Sequence, residues 1–129
     1  MMIFYRRKTI IDYIKYLIFK RTSVFVELGD EEFSLTQIYP EKPEFEYGLI
    51  SYFIRYEEIM SIRNIDMSNL IIRGKFEIVK TKYDPVSINK EIIENLEIHI
   101  DDSYMDYSKF KKKLYMKIYE VHGLVSNKD

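Results

Sequence analysis

Asn69-Leu70-Ile71-Ile72-Arg73-Gly74-Lys75-Phe76-Glu77-Ile78-Val79 is the stretch whose period decides the fold. Leu70, Ile72, Phe76 and Ile78 fall on one side of a two-residue alternation, with Arg73, Lys75 and Glu77 on the other. That is the pattern of a strand with one face buried and one face wet. Gly74 falls on the apolar side, where a missing side chain predicts a bulge or a sharp bend. Working outward, Ile50, Tyr52, Ile54 and Tyr56 line a second strand, and Leu96, Ile98 and Ile100 a third, with Glu97 and His99 outward. Val24, Val26 and Leu28 alternate, Gly29-Asp30 supplies a turn, and Phe33, Leu35 and Gln37 alternate again, which predicts a hairpin. Pro40 and Pro43 break the pattern, leaving Tyr39–Glu46 as a loop. Ile59–Ile65 fits a helical turn as well as a strand. Asp84-Pro85 reads as a turn, and Ser87 as the cap of a short helix reaching Glu94.

The two ends of the chain carry helical spacing. Ile10, Ile11, Ile14, Leu17 and Ile18 recur at three and four residues, with Thr9 as an N-cap, so the first helix is expected over about 7–20. Its stripe is expected to pack on the sheet; the other reading places the helix on an anionic membrane. Tyr107, Phe110, Leu114, Ile118 and Val121 form a second stripe, expected over about 103–121. There Ser103-x-x-Asp106 resembles a capping box, and Gly123 suits the residue past the helix end. Lysines follow the acids, in line with the helix dipole. Residues Ser126–Asp129 are expected to fray. The expected fold is α+β and one domain over 1–129: β-rich from 23 to 100, mainly antiparallel and curled, with a helix at each end.

Composition narrows the function. The 129 residues contain no Cys, which removes disulfides, thiolate catalysis and cysteine-held metals. There is no Ala or Trp, against twenty Ile and twelve Tyr, so the core must be built of large β-favouring side chains. Net charge is −1 and unevenly spread, with six cations and only Asp12 as an acid among the first 22 residues. Such a balance gives no dominant nucleic-acid footprint, and no nucleic-acid partner is expected. Arg6, Arg7 and Lys8 resemble the charged start of a secretion signal, but Asp12 and Lys15 interrupt the apolar run that should follow. A cytoplasmic protein is expected.

No arrangement of residues specifies a reaction, and the expectation is a protein that is not an enzyme and carries no cofactor. His99 and Asp101 share a strand face, but a metal site needs a third ligand, and none is expected. Ser87-x-x-Lys90 and Ser108-x-x-Lys111 lack the partner motifs that would make them catalytic. The adjacent acids Glu31-Glu32, Glu57-Glu58 and Asp101-Asp102 would point to opposite faces of a strand instead of sharing one site. Four scattered glycines build no phosphate-cradling loop.

Ile54-Arg55-Tyr56-Glu57-Glu58-Ile59-Met60-Ser61-Ile62, followed by Asn69-Leu70-Ile71-Ile72-Arg73-Gly74, resembles the middle of bacterial pleckstrin-homology-like and GRAM-like domains. The resemblance spans about 24–121 and implies a curled sheet closed by a terminal helix. The first helix departs from that pattern, as does a strand count below the family's seven. Such a fold hosts lipid binders, protein adaptors and scaffolds alike, so the resemblance implies architecture more than function. The acids of the first hairpin would repel phosphates where that family's ligand loop needs cations.

The strongest functional signal is an acidic stretch interleaved with aromatics. Glu31, Glu32, Tyr39, Glu41, Glu44, Glu46 and Tyr47 are the expected partner-binding residues, with charge steering the encounter and aromatics anchoring it. The function expected from them is a non-catalytic protein-binding module. Its concrete form is a small stoichiometric antagonist, of the immunity or phage anti-defence kind, masking a basic site on a target protein. The alternatives are a membrane-surface adaptor using the basic first helix, and a small enzyme using scattered carboxylates. Self-pairing is expected, if anywhere, along Leu70–Val79 as a sheet edge.

Overall fold

The computed structural model describes residues 2–40, 42, 44–83 and 85–122. In chain order these form β1 (Met2–Tyr5), α1 (Ile10–Phe19), β2 (Val24–Leu28), β3 (Glu32–Ile38), β4 (Leu49–Arg55), β5 (Ile59–Asp66), β6 (Asn69–Tyr83), β7 (Val86–Asp101) and α2 (Tyr107–His122). A 3-10 turn, Tyr56–Glu58, joins β4 to β5. The architecture is α+β, with one mostly antiparallel, curled sheet and a helix towards each end, as the alternation and the helical stripes predict.

β6 is the hub of the sheet. Its first half pairs with β5 and its second half with β4, both antiparallel, while β7 runs along its other side from Asn69↔Asp101 to Tyr83↔Val86. The sheet then continues from β4 through β3 and β2 to β1. The segment after β7 returns beside β1: Arg6 bridges Tyr104, the Arg7 amide donates to the Ser103 carbonyl (2.8 Å) and the Met105 amide to the Tyr5 carbonyl (2.8 Å). One corner of the curl is thereby tied shut.

The alternating residues do what their period requires. Val26, Phe33, Ile54, Leu70, Ile72, Phe76 and Ile100 are fully buried on the inner face. α2 lies on that face through Tyr107, Phe110, Leu114 and Ile118, all buried. The Phe110 ring meets Phe4 edge-on at 5.4 Å and Phe33 at 5.8 Å, geometry that aromatic quadrupoles favour. Tyr56 is held at the β4–β5 corner, its hydroxyl donating to the Gly29 carbonyl (2.7 Å) and its carbonyl lying 3.0 Å from His122 Nε2.

Gly74 explains how that corner fits. A Cβ there would press on the Glu58 carbonyl oxygen, stand 2.6 Å from Ile54 Cδ1 and lie 3.1 Å from Ile59 Cα. The register of β6 on β7 also shifts between Gly74 and Phe76, the bulge that its position predicts. Because two of those neighbours are backbone, they cannot swing aside. Gly74→Ala is expected to cost about 3 kcal/mol, the upper end of ordinary overpacking. Urea unfolding checks it, and a loss under ~0.5 kcal/mol, the range of a plain surface change, would show that the corner gives way freely.

Several expectations are corrected. Ser87–Glu94 is strand, not helix: pairing with β6 supplies its backbone partners and overrides the local cap signal. Leu70–Val79 is no edge, since β6 has strands on both sides. Ile59–Ile65 is strand, while Tyr56 leaves the β4 alternation for the 3-10 turn. The helix expected from 103 begins at Tyr107, because Asp101 captures the Ser103 amide and hydroxyl while Asp106 takes a left-handed backbone (φ 54°). β1 is an additional strand ahead of the first helix. Gly123 and Ser126–Asp129 lie outside the described residues, as does Asp84 of the predicted turn.

Burial also sets an alkaline limit on the fold. It pushes the Tyr104 phenol up to about 12 from its ordinary 10.0, and it raises Tyr56 as well. Below pH ~10 both phenols are neutral folded or unfolded. Above it the unfolded chain gives up protons that the folded chain keeps, so stability falls as pH climbs from 10 towards 12. Melting temperatures across that window are expected to drop, and to drop less for Tyr104→Phe. An unchanged slope in that variant would exclude Tyr104 as a contributor.

Candidate docking surfaces

The acidic stretch is continuous in sequence and divided in space. Glu31 and Glu32 sit at the β2–β3 turn, whereas Tyr39, Glu44, Glu46 and Tyr47 lie on the β3–β4 loop. β3 stands between the two groups, roughly 20 Å at the rise of a strand. Glu41 lies outside the described residues.

Much of the charge is answered within the molecule. Arg55 Nη2 donates to Glu31 (2.9 Å), and its Nε donates to Glu57. These bonds, that to Glu57 first, raise the Arg55 guanidinium further. Lys117 lies 3.9 Å from Asp30, and Lys82 3.5 Å from Glu46. Lys80 and Lys82 both stand over the Tyr47 ring, at 5.6 and 5.3 Å. Tyr39 donates to Gln37 Oε1 (2.6 Å) and its ring packs against Phe45; burial, then the nearby Tyr52, pushes its phenol up. What remains at the turn is an open groove of about 490 Å³, where Glu27, Asp30, Glu31 and Glu32 surround Phe53, with Arg55 in one wall.

The other surface is α1, and here packing departs from expectation. Asp12 is the only buried residue of the helix. Its carboxylate accepts the Lys8 and Thr9 amides (3.1 and 3.3 Å) and lies 3.4 Å from Arg6 Nε, while Thr9 Oγ1 accepts the Asp12 amide (3.1 Å). This reciprocal capping box fixes the first turn of α1, and the Arg6 contact ties it to the segment that follows β1. The apolar residues point away: Ile10 is 78% and Leu17 73% exposed, and Ile11, Ile14, Ile18 and Phe19 are also exposed. The stripe therefore does not pack on the sheet, whose inner face α2 already occupies.

Cations rim this apolar knob. Arg7 stands over Tyr13 and Tyr16 (5.6 and 5.4 Å), and Lys20 over Tyr16 (6.0 Å). Lys15 Nζ donates to the Ser23 hydroxyl (2.6 Å), turning its charge to one side of the helix. Lys8 and Arg21 are exposed at the two ends. α1 lies at the Val24 end of β2 and the Asp30–Glu32 turn at the Leu28 end, roughly 17 Å away at strand rise. The molecule has a basic, greasy end and an acidic end. Acids also reach the α1 end: β3 delivers the loop of Glu44 and Glu46 there, and Asp102 and Asp106 line a groove with Arg7 and Tyr13.

Among the described residues no group of three His, Asp or Glu side chains is placed to hold a metal ion. His99 pairs with Asn69 (2.8 Å). Burial acts to raise the Asp101 carboxyl, but the Ser103 hydroxyl and amide outweigh it and hold the carboxyl below its usual range. Glu57-Glu58 and Asp101-Asp102 do not converge: the first pair neighbours the His122 end of α2 and the second precedes its Tyr107 end, roughly 22 Å apart by helix rise. No described helix is long and apolar enough to cross a membrane.

Comparison with protein-family models, with curated proteins and with solved structures gave no match.

Proposed function

We propose that this chain is a non-catalytic binding module that settles on an anionic membrane surface through α1. One observation carries the reading: seven large aliphatic and aromatic side chains of a ten-residue helix are exposed, with Arg7, Lys8, Lys20 and Arg21 at its two ends. A helix of that make-up lies in the interface, its apolar side among the acyl chains and its cations among the headgroups. Burying one such side chain contributes about 1.5–3 kcal/mol, and each Lys or Arg near an anionic leaflet adds about 1 kcal/mol. The acidic turn at the far end of β2 then faces away from the negative surface. A cytoplasmic location belongs to the same proposal, because the anionic lipids of that leaflet supply the field. Kinship with pleckstrin-homology-like domains is also a proposal, resting on the Ile54–Ile62 and Asn69–Gly74 runs.

Co-sedimentation with vesicles of phosphatidylserine and phosphatidylcholine tests the reading, against phosphatidylcholine alone as control. Binding is expected to the first and to weaken as salt rises. Glu44→Lys with Glu46→Lys should strengthen it, since those carboxylates lie on the loop that β3 delivers to the α1 end. No sedimentation at low salt would remove the proposal.

A second reading has its own support in the acidic groove at Glu27–Glu32, which suits a basic side chain of another protein. It is the stoichiometric antagonist masking a basic site, reduced to the Glu31 and Glu32 half of the expected patch. Reversing Glu31 and Glu32 to Lys should slow association with such a partner and leave vesicle binding unchanged. That difference separates the two.

A further inference from the structure

Among the described residues the outer edge of β7 has no strand beside it, although the strand is sixteen residues long. From Val86 to Ile92 every residue is exposed, on both faces. A long edge strand of this kind is a template for another strand. Three isoleucines in seven residues, Ile88, Ile92 and Ile93, make Ile88–Glu94 unusual for a solvated edge.

The sequence of this edge limits what can pair with it. Two copies of one antiparallel edge are related by a two-fold axis through a single residue, because opposed side chains must share a face. An axis at Lys90 sets Lys90 against Lys90, and one at Glu91 sets Glu91 against Glu91, both repulsive. An axis at Asn89 joins Ile88 to Lys90 and matches no charges. An axis at Ile92 sets Ile92 against its copy and Lys90 against Glu94 twice, with no like-charged pair. We propose that β7 is a homodimerisation edge, pairing with a second copy of this chain about Ile92, with Lys90 of each copy opposite Glu94 of the other. The register shift opposite Gly74 and Phe76 closes the paired span at its Glu94 end.

Sedimentation equilibrium of the full chain, without lipid, tests the pairing by charge exchange. Mass is expected to rise with concentration from 15.7 kDa towards twice that value. Lys90→Glu alone, or Glu94→Lys alone, creates two like-charged cross-strand pairs, and each should weaken association about tenfold. The double variant Lys90→Glu with Glu94→Lys restores opposite charges and should recover association to within about threefold of the unaltered chain. All the altered side chains are exposed, and circular dichroism confirms the folds. A chain that stays monomeric at millimolar concentration overturns the proposal. So does a double variant no better than the singles, or association abolished by Leu17→Asp and untouched by Lys90→Glu, which would assign the contact to α1. A monomeric chain or a failed charge exchange leaves vesicle binding as it was, so this proposal and that of membrane docking fail separately.

Discussion

Truncating Phe110 to Ala is expected to remove about 3–5 kcal/mol of folding free energy, the range for large aromatic side chains in cores. The ring is fully buried, set against Phe4 from β1 and Phe33 from β3. It therefore joins β1, at the far end of the sheet, and β3 to the closing helix, and a cavity there has rigid sheet on one side. A domain of this kind is stable by about 5–15 kcal/mol in all, so the variant should sit close to its unfolding threshold. Leu114→Ala, one turn on, should cost ~2–5 kcal/mol for the same reason. Val121→Ala, at an exposed position, serves as the control and should stay within ~0.5 kcal/mol. Urea midpoints with unchanged slopes would give all three values. A loss under ~1 kcal/mol at Phe110 would mean that α2 does not close the core.

Placing aspartate at both Leu17 and Ile18 is expected to lower affinity for anionic vesicles at least ~100-fold, if α1 docks as proposed. Each side chain withdrawn from the acyl region forfeits about 1.5–3 kcal/mol, and every 1.4 kcal/mol is a factor of ten. Fold stability should barely move, since both residues are exposed in the free protein. That separation between binding and stability is the diagnostic. If α1 instead finds its core position by rearrangement, the same pair of changes would destabilise the chain and leave vesicles unaffected.

Where a residue's fate depends on its near neighbours, it is legible in the chain. Leu70, Ile72, Phe76 and Ile78 announce β6, Gly29-Asp30 turns β2 into β3, and Thr9 caps α1 where its chemistry says it should. Where the deciding partner is distant, local signals mislead. Ile88 and Ile92 are four residues apart, as on a helix, yet β6 supplies backbone partners that no window around Ser87 reveals. Met2–Tyr5 is too short to display a period and becomes a strand only because Leu28 to Phe25 lie alongside. The acidic residues show the same limit: neighbours along the chain, they are delivered to opposite ends by the strand between them. A helical stripe states that something apolar should cover it, not what, so the exposure of α1 is a property of the assembled fold.

The place where α1 enters the sheet makes it separable. Tyr5 and Phe25 are cross-strand partners, so the helix is a detour between two residues that the sheet already holds side by side, roughly 5 Å apart by antiparallel geometry. Nearly everything between them could be exchanged for a short turn, provided Arg6 and Arg7 keep their bonds to Val24, Ser103 and Tyr104. The body of the protein is in that sense a socket, and the helix a cartridge seated in it. Exchanging this insert alone would change what that end of the molecule presents to solvent and leave the core residues beneath in place.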